Sequence, residues 1–191
     1  MTRSPAGALK VIKIGGGLAS IPGALARVCQ AVGSAARAHR IVVVPGGGPF
    51  ADAVRDFDRS HGLSSDTAHW MALLAMDQYG HVLADRIPGA LLLDEPGAVV
   101  EKVAEGRVVV LAPFRWMRSS DVLPRSWDVT SDSVAAFVAG ALDAARLILI
   151  KPGTSLSQPV DPYFASALPY GMPNSVIGCD RMEALAPALS G

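Results

Sequence analysis

The sequence predicts an α/β protein, a three-layer αβα sandwich around a mainly parallel central sheet. Apolar, largely β-branched runs at ALKVIKI (8–14), RIVVVP (40–45), RVVVLA (107–112) and RLILIK (146–151) read as strands buried on both faces. Helical patterns separate these runs along the whole chain, as crossovers between parallel strands require. The size agrees: 191 residues, half of them apolar and 18% charged, suit one core-rich domain.

Each element has a local reason. Residues 22–38 carry helically spaced apolar positions between the first two strands. Residues 49–60 start a helix with Pro49 in its first turn, where a missing N–H costs nothing. Residues 65–85 form a longer helix capped by Ser65 or Asp66. Its middle is apolar nearly all round, so it lies in the core or against a second copy of the chain. A strand at 90–94, a helix at 97–104 and the strand at 107–112 follow. Residues 113–130 read as irregular, rich in Arg and Trp. Residues 131–145 form a helix with Val134, Phe137, Val138 and Leu142 as its apolar stripe. After the strand at 146–151, a helix near 161–168, a strand near 174–179 and a helix near 182–189 complete the chain. With no repeat, low-complexity tract or linker, residues 1–191 are expected to form a single domain, its functional halves meeting at 130/131.

Composition excludes several classes. Seventeen basic and 17 acidic residues cancel, which removes the electrostatic case for nucleic-acid or membrane-surface binding. No apolar run reaches the roughly 18–20 residues that span a bilayer. The opening MTRSPAGALKVIKIGGG does not read as a secretory signal. Cys29 and Cys179 stand far apart, outside any metal or redox motif, and are expected to be buried thiols of a cytoplasmic protein. No His/Cys cluster has metal spacing, so no metal held by the protein alone is expected.

Two glycine triplets follow strands: Gly15-Gly16-Gly17 after Lys13, and Gly46-Gly47-Gly48 before Pro49. Ligands of open α/β sheets bind at the carboxyl ends of strands. Glycine lets backbone N–H groups approach and cradle an anion, and the helix starting at Pro49 adds its positive end. The bland alternative is that the glycines only turn the chain. Nothing fits the P-loop pattern. Gly46 to Ala51 fit the loose dinucleotide fingerprint, but helical patterns follow where that fingerprint wants a strand ending in an acid.

The motifs together resemble the amino acid kinase superfamily. Lys13-Ile14-Gly15-Gly16-Gly17 resembles its K-x-G-G-[SG] opening, Val44 to Pro49 its G-G-G-P loop, and Thr130 to Ala136 its [NTS]-[AST]-D-[ST]-x-A-A segment. The resemblance covers about residues 9–153. It implies an ATP-dependent kinase making a phosphoric anhydride on an acidic acceptor, with Mg2+ carried by the ATP phosphates. Within the family, AHWMALLAMDQYG (68–80) and LPRSWDVTSDSVAA (123–136) resemble the subgroup acting on [5-(aminomethyl)furan-3-yl]methyl phosphate, a precursor of methanofuran-type cofactors. Where the family usually has T-D-V-D-G, this chain has Lys151-Pro152-Gly153-Thr154.

The resemblance implies roles. Lys13 and Lys151 would meet the transferring phosphoryl and the nucleotide, and Asp132 would orient them by charge-assisted hydrogen bonds. Gly15, Gly16, Gly17, Gly46, Gly47, Gly48, Gly153 and Thr154 would bind phosphates and ATP. Arg115, Arg118 and Arg125 offer guanidinium forks to the acceptor phosphate, and Trp127 a flat stacking surface. His69 and Trp70 stand early in the long helix beside the expected acceptor pocket, and Asp128 would suit an acceptor ammonium group. Each has a structural alternative: a solvent lysine at a strand end, a helix N-terminal acid favoured by the dipole, a solvated loop arginine, a core histidine. Asp77 and His81 read as a helix pair. Competing readings are a same-fold kinase for isopentenyl phosphate or an acyl amino acid, and a non-catalytic nucleotide- or oxyanion-binding protein. The helix at 65–85 suggests a homodimer or larger homo-oligomer.

Overall fold

Parallel strands covered on both faces need apolar residues in both phases, and the central strands here supply them. The computed structural model describes residues 7–153 and 160–190. Among them run β1 (Lys10–Ile14), α1 (Ala24–Ala35), β2 (Ile41–Pro45), α2 (Gly48–His61), α3 (Ser65–Arg86), β3 (Leu91–Leu93) and α4 (Pro96–Ala104). Then come β4 (Val109–Leu111), α5 (Phe114–Ser120), α6 (Ser131–Ala141), β5 (Arg146–Lys151), α7 (Phe164–Ala167), β6 (Asn174–Gly178) and α8 (Leu185–Ser190). The strands form one sheet in the order β3-β4-β2-β1-β5-β6. All five pairings are parallel, with Ile12 opposite Val43 and Ile148.

Alternation along each strand divides the core into two layers. Ile12, Ile14, Val43, Ile148 and Ile150 pack with Val28, Cys29 and Val32 of α1. Val11, Val42, Val44, Leu147 and Leu149 pack with Val134, Ala135 and Val138 of α6 and with Val99 and Val103 of α4. The ten strand side chains among these are fully buried, each contributing about 1.5–3 kcal/mol. The same alternation has a consequence for chemistry. Lys13 follows Val11, and Lys151 follows Leu149, on the side that carries α6.

Several boundaries differ from the expectations. Residues 113–130 are not all irregular: α5 occupies Phe114–Ser120 and buries Trp116 and Met117. Its first N–H, on Phe114, is satisfied by Asp77 Oδ1 of α3 at 3.0 Å, a partner 37 residues away. Asp77 is thus a cap for a distant helix as well as a neighbour of His81. The cap of α3 is Ser64, whose hydroxyl accepts from the Thr67 N–H at 3.2 Å, rather than Ser65 or Asp66. The helix expected over 131–145 stops at Ala141, and Asp143 then turns the chain at φ 49. The helix expected near 161–168 keeps only Phe164–Ala167, and that near 182–189 divides into a 3-10 turn and α8. α3 buries Ala68, Leu73, Ala75, Met76, Tyr79, Gly80 and Leu83 within the chain, and leaves Leu74 exposed.

Candidate active site

The tips of β1 and β2 explain the glycines first by packing. A Cβ on Gly16 would stand 2.2 Å from the Gly48 nitrogen, and one on Gly46 would stand 2.4 Å from the Gly16 nitrogen. The two loops therefore lie backbone against backbone. Gly48 opens α2 at φ +58, which an L side chain rarely adopts. Gly16, Gly17, Gly47 and Gly48 then line a cavity of about 240 Å³. Gly15 and Gly46 stand behind that lining, Gly15 donating its N–H to the Ile150 carbonyl at 2.8 Å. Gly153 turns the chain after β5 at φ +73. Thr154 lies outside the described residues.

Three ionic side chains meet at the same strand tips. Lys13 Nζ lies 2.8 Å from Asp132 Oδ1. Lys151 Nζ donates to Asp132 Oδ2 at 2.7 Å. All three residues are buried, so neither lysine is the solvent-facing strand end of the bland reading. Burial pushes the Lys13 ammonium below its ordinary pKa, against the opposing pull of Asp132. Burial also resists ionisation of Asp132, but the two lysines outweigh it and hold the carboxyl below its usual value. Two ammonium groups meet there beside strand ends and the N-terminus of α6. That combination attracts anions.

Asp132 is held by the start of α6, and α6 is held by a residue absent from the expectations. Asp161 Oδ2 accepts from the Thr130 N–H at 2.9 Å, the Thr130 hydroxyl at 2.8 Å and the Ser133 N–H at 3.0 Å. Its Oδ1 accepts from the Ser133 hydroxyl. Thr130 and Ser131 line the cavity immediately before Asp132.

The acceptor candidates divide. His69 and Trp127 line the cavity. Burial, then the nearby Arg125, lowers the His69 pKa. Trp127 Nε1 donates to Asp58 Oδ2 at 2.8 Å, which fixes the indole against α2. Trp70, Arg115, Arg118, Arg125 and Asp128 stand outside the lining. Trp70 donates to Asp66 Oδ1 at 3.1 Å and has the guanidiniums of Arg118 and Arg125 at 4.4 and 5.0 Å from its centroid. Arg125 is itself tied to Asp66 and Asp121. Arg115 pairs with Asp94 and Glu95. Arg118 on α5 and Arg125 after it fasten that region to α3, whereas Arg115 ties α5 to the loop before α4. Asp128 is exposed and accepts from the Ser126 hydroxyl at 3.2 Å.

The guanidinium in the lining belongs instead to Arg55, 4.8 Å from the Trp127 ring centroid. The helical spacing of Gly48, Ala51, Asp52 and Arg55 (i, i+3, i+4, i+7) is the signal by which the sequence puts all four on one face. Asp161 has no such signal, because its partners come from a separate element.

Among the described residues, no group of three or more His, Cys, Asp or Glu is placed to hold a metal ion, and no helix is long and apolar enough to cross a membrane. The donor set is backbone amide and ammonium, which fits a polyphosphate bringing its own cation.

Residues 8–152 match the model of the amino acid kinase family. A curated relative from Methanocaldococcus jannaschii, [5-(aminomethyl)furan-3-yl]methyl phosphate kinase, is 31% identical over 110 residues, which is 58% of this chain and 50% of the relative. The match thus spans half the length of that relative. UMP kinase from Bacillus anthracis superposes with a TM-score of 0.70 at 15% identity, over 96% of this chain and 93% of that one. UMP kinase from Ureaplasma parvum gives 0.68 at 15% identity, over 98% and 96%. These two likenesses concern the fold.

Proposed function

The chain belongs to the amino acid kinase family, and from that premise we propose that it transfers the γ-phosphoryl group of ATP to a small phosphate monoester. The acceptor we favour is [5-(aminomethyl)furan-3-yl]methyl phosphate, on the strength of the Methanocaldococcus relative. The observation that carries the reading is the buried Lys13–Asp132–Lys151 group, which stands outside the cavity lining but next in sequence to loops that line it: Gly16 and Gly17 after Lys13, and Thr130 and Ser131 before Asp132.

In this reading an oxygen of the acceptor phosphate attacks the γ-phosphorus of ATP. The bond from that phosphorus to the bridging oxygen breaks, and ADP leaves as the diphosphate ester forms. Charge gathers on the moving group, so the enzyme's task is to position and neutralise it. Backbone N–H groups of the glycine loops hold the phosphates. Lys13 and Lys151 supply positive charge, and Asp132 aims both ammonium groups. Mg2+ bound to the nucleotide phosphates supplies further neutralisation. Residues to about 130 serve the acceptor and those from 131 the nucleotide. We place the protein in the cytoplasm and read it as a homodimer or larger homo-oligomer, which sedimentation at micromolar concentration tests by a mass at least twice 19.8 kDa.

The test is ADP release from Mg-ATP with the furan phosphate, isopentenyl phosphate, uridylate and acetylglutamate in parallel. Turnover with the furan phosphate alone supports the full reading. Preference for another acceptor keeps the kinase and changes the substrate. ATP binding without turnover on any acceptor favours a non-catalytic nucleotide-binding role.

A further inference from the structure

The polar groups bordering the cavity are spread along α2. At one end are glycine N–H groups and the start of α6, with Lys13 and Lys151 behind them. One turn further along α2 stands Asp52, the one carboxylate among the described residues lining the cavity. Its side chain is 69% exposed and pairs with Arg55 at 3.1 Å. Arg55 lies over Trp127, which Asp58 holds in place. The rise from Gly48 to Asp52 is about 6 Å. A molecule matching this pattern carries a phosphate at one end, a small flat ring in the middle and a cation at the other.

We propose that Asp52 reads a cationic amine on the acceptor, with Arg55 holding its carboxylate ready from its seat on Trp127. This rests on the kinase reading for the acceptor's orientation, since its phosphate must lie at the glycine end. Asp128, the acid suggested for this task by the sequence, is exposed and stands outside the lining. Arg55 takes Asp52 Oδ1, so an ammonium group can take the other oxygen of this exposed carboxylate and add a charge-assisted pair without displacing the guanidinium. An acceptor with a hydroxyl in the amine's place leaves Asp52 with Arg55 and gains no such pair.

The test compares calorimetric binding of [5-(aminomethyl)furan-3-yl]methyl phosphate with that of its hydroxymethyl counterpart. Wild type, Asp52→Asn and Asp128→Asn are measured, with ADP release followed in parallel. Wild type should bind the amine form roughly tenfold more tightly, an advantage that added salt erodes. Asp52→Asn should bring the ratio of the two affinities close to one, while Asp128→Asn retains it. Thermal melting of Asp52→Asn should match wild type, because the only partner of this exposed side chain among the described residues is Arg55. Equal binding of both forms by wild type overturns the proposal. So does a preference that survives Asp52→Asn or disappears in Asp128→Asn instead. Failure of the kinase reading looks different: no ADP release, with the amine preference and its loss in Asp52→Asn intact.

Discussion

Asp132 touches both lysines, so its carboxylate decides whether two buried ammonium groups can stand side by side. Removing that charge leaves two like charges buried together. Asp132→Asn should therefore lower stability by about 3–5 kcal/mol, measured by denaturant titration. The pH dependence follows from its depressed pKa. Between the folded value and the ordinary 3.8, the unfolded chain binds more protons than the native one, so stability rises with pH there. The contribution of Asp132 is complete above about pH 3.8 and is lost as pH falls through its lower folded value, a loss that Asp132→Asn should not show. At this scale the sequence was informative where chemistry is local to a motif. The strand-end positions of Lys13 and Lys151 and the helix-start position of Asp132 were legible in the sequence, whereas the roles given to them came from the family resemblance. Asp52 and Arg55 were not drawn out, because Arg and Trp enrichment after residue 113 pointed to a neighbouring staple instead.

Elements here are joined by polar groups from far away in sequence. Asp161 satisfies two N–H and two hydroxyl groups around the start of α6. Asp161→Ala would leave them unpaired at a buried helix end, costing about 2–3 kcal/mol. Thermal melting should fall by roughly 5–10 °C. The glycine loops make a sharper contrast. Gly16→Ala forces a methyl into the Gly48 backbone and should cost about 1–3 kcal/mol while weakening ATP binding. Gly97→Ala, in α4 with nothing within 4 Å of the new methyl, should be neutral or stabilise by up to about 1 kcal/mol. Melting of the two variants beside wild type checks both. The strands were readable because buried parallel strands write continuous apolar runs. α5 was not, because seven residues carry little periodicity and its cap comes from α3.

At the scale of the whole molecule, strand parity and strand order make the site. β1 and β5 are neighbours in parallel register, with Lys13 opposite Leu149. Side-chain alternation then puts Lys13 and Lys151 on one face, beneath the start of α6. The sequence announced the strands and the loops, but the adjacency of the first and fifth strands belongs to the fold. The same adjacency brings the glycine loop of β1 against that of β2 on its other side. The central claim is that this arrangement moves a phosphoryl group onto a phosphate. The most direct measurement is phosphorus NMR of Mg-ATP incubated with [5-(aminomethyl)furan-3-yl]methyl phosphate and wild-type protein, with Lys13→Ala alongside. The account predicts a new pair of mutually coupled resonances from the diphosphate ester, accumulating with ADP and at least a hundredfold more slowly in Lys13→Ala. Inorganic phosphate as the only new product, or equal rates in the two proteins, would contradict it.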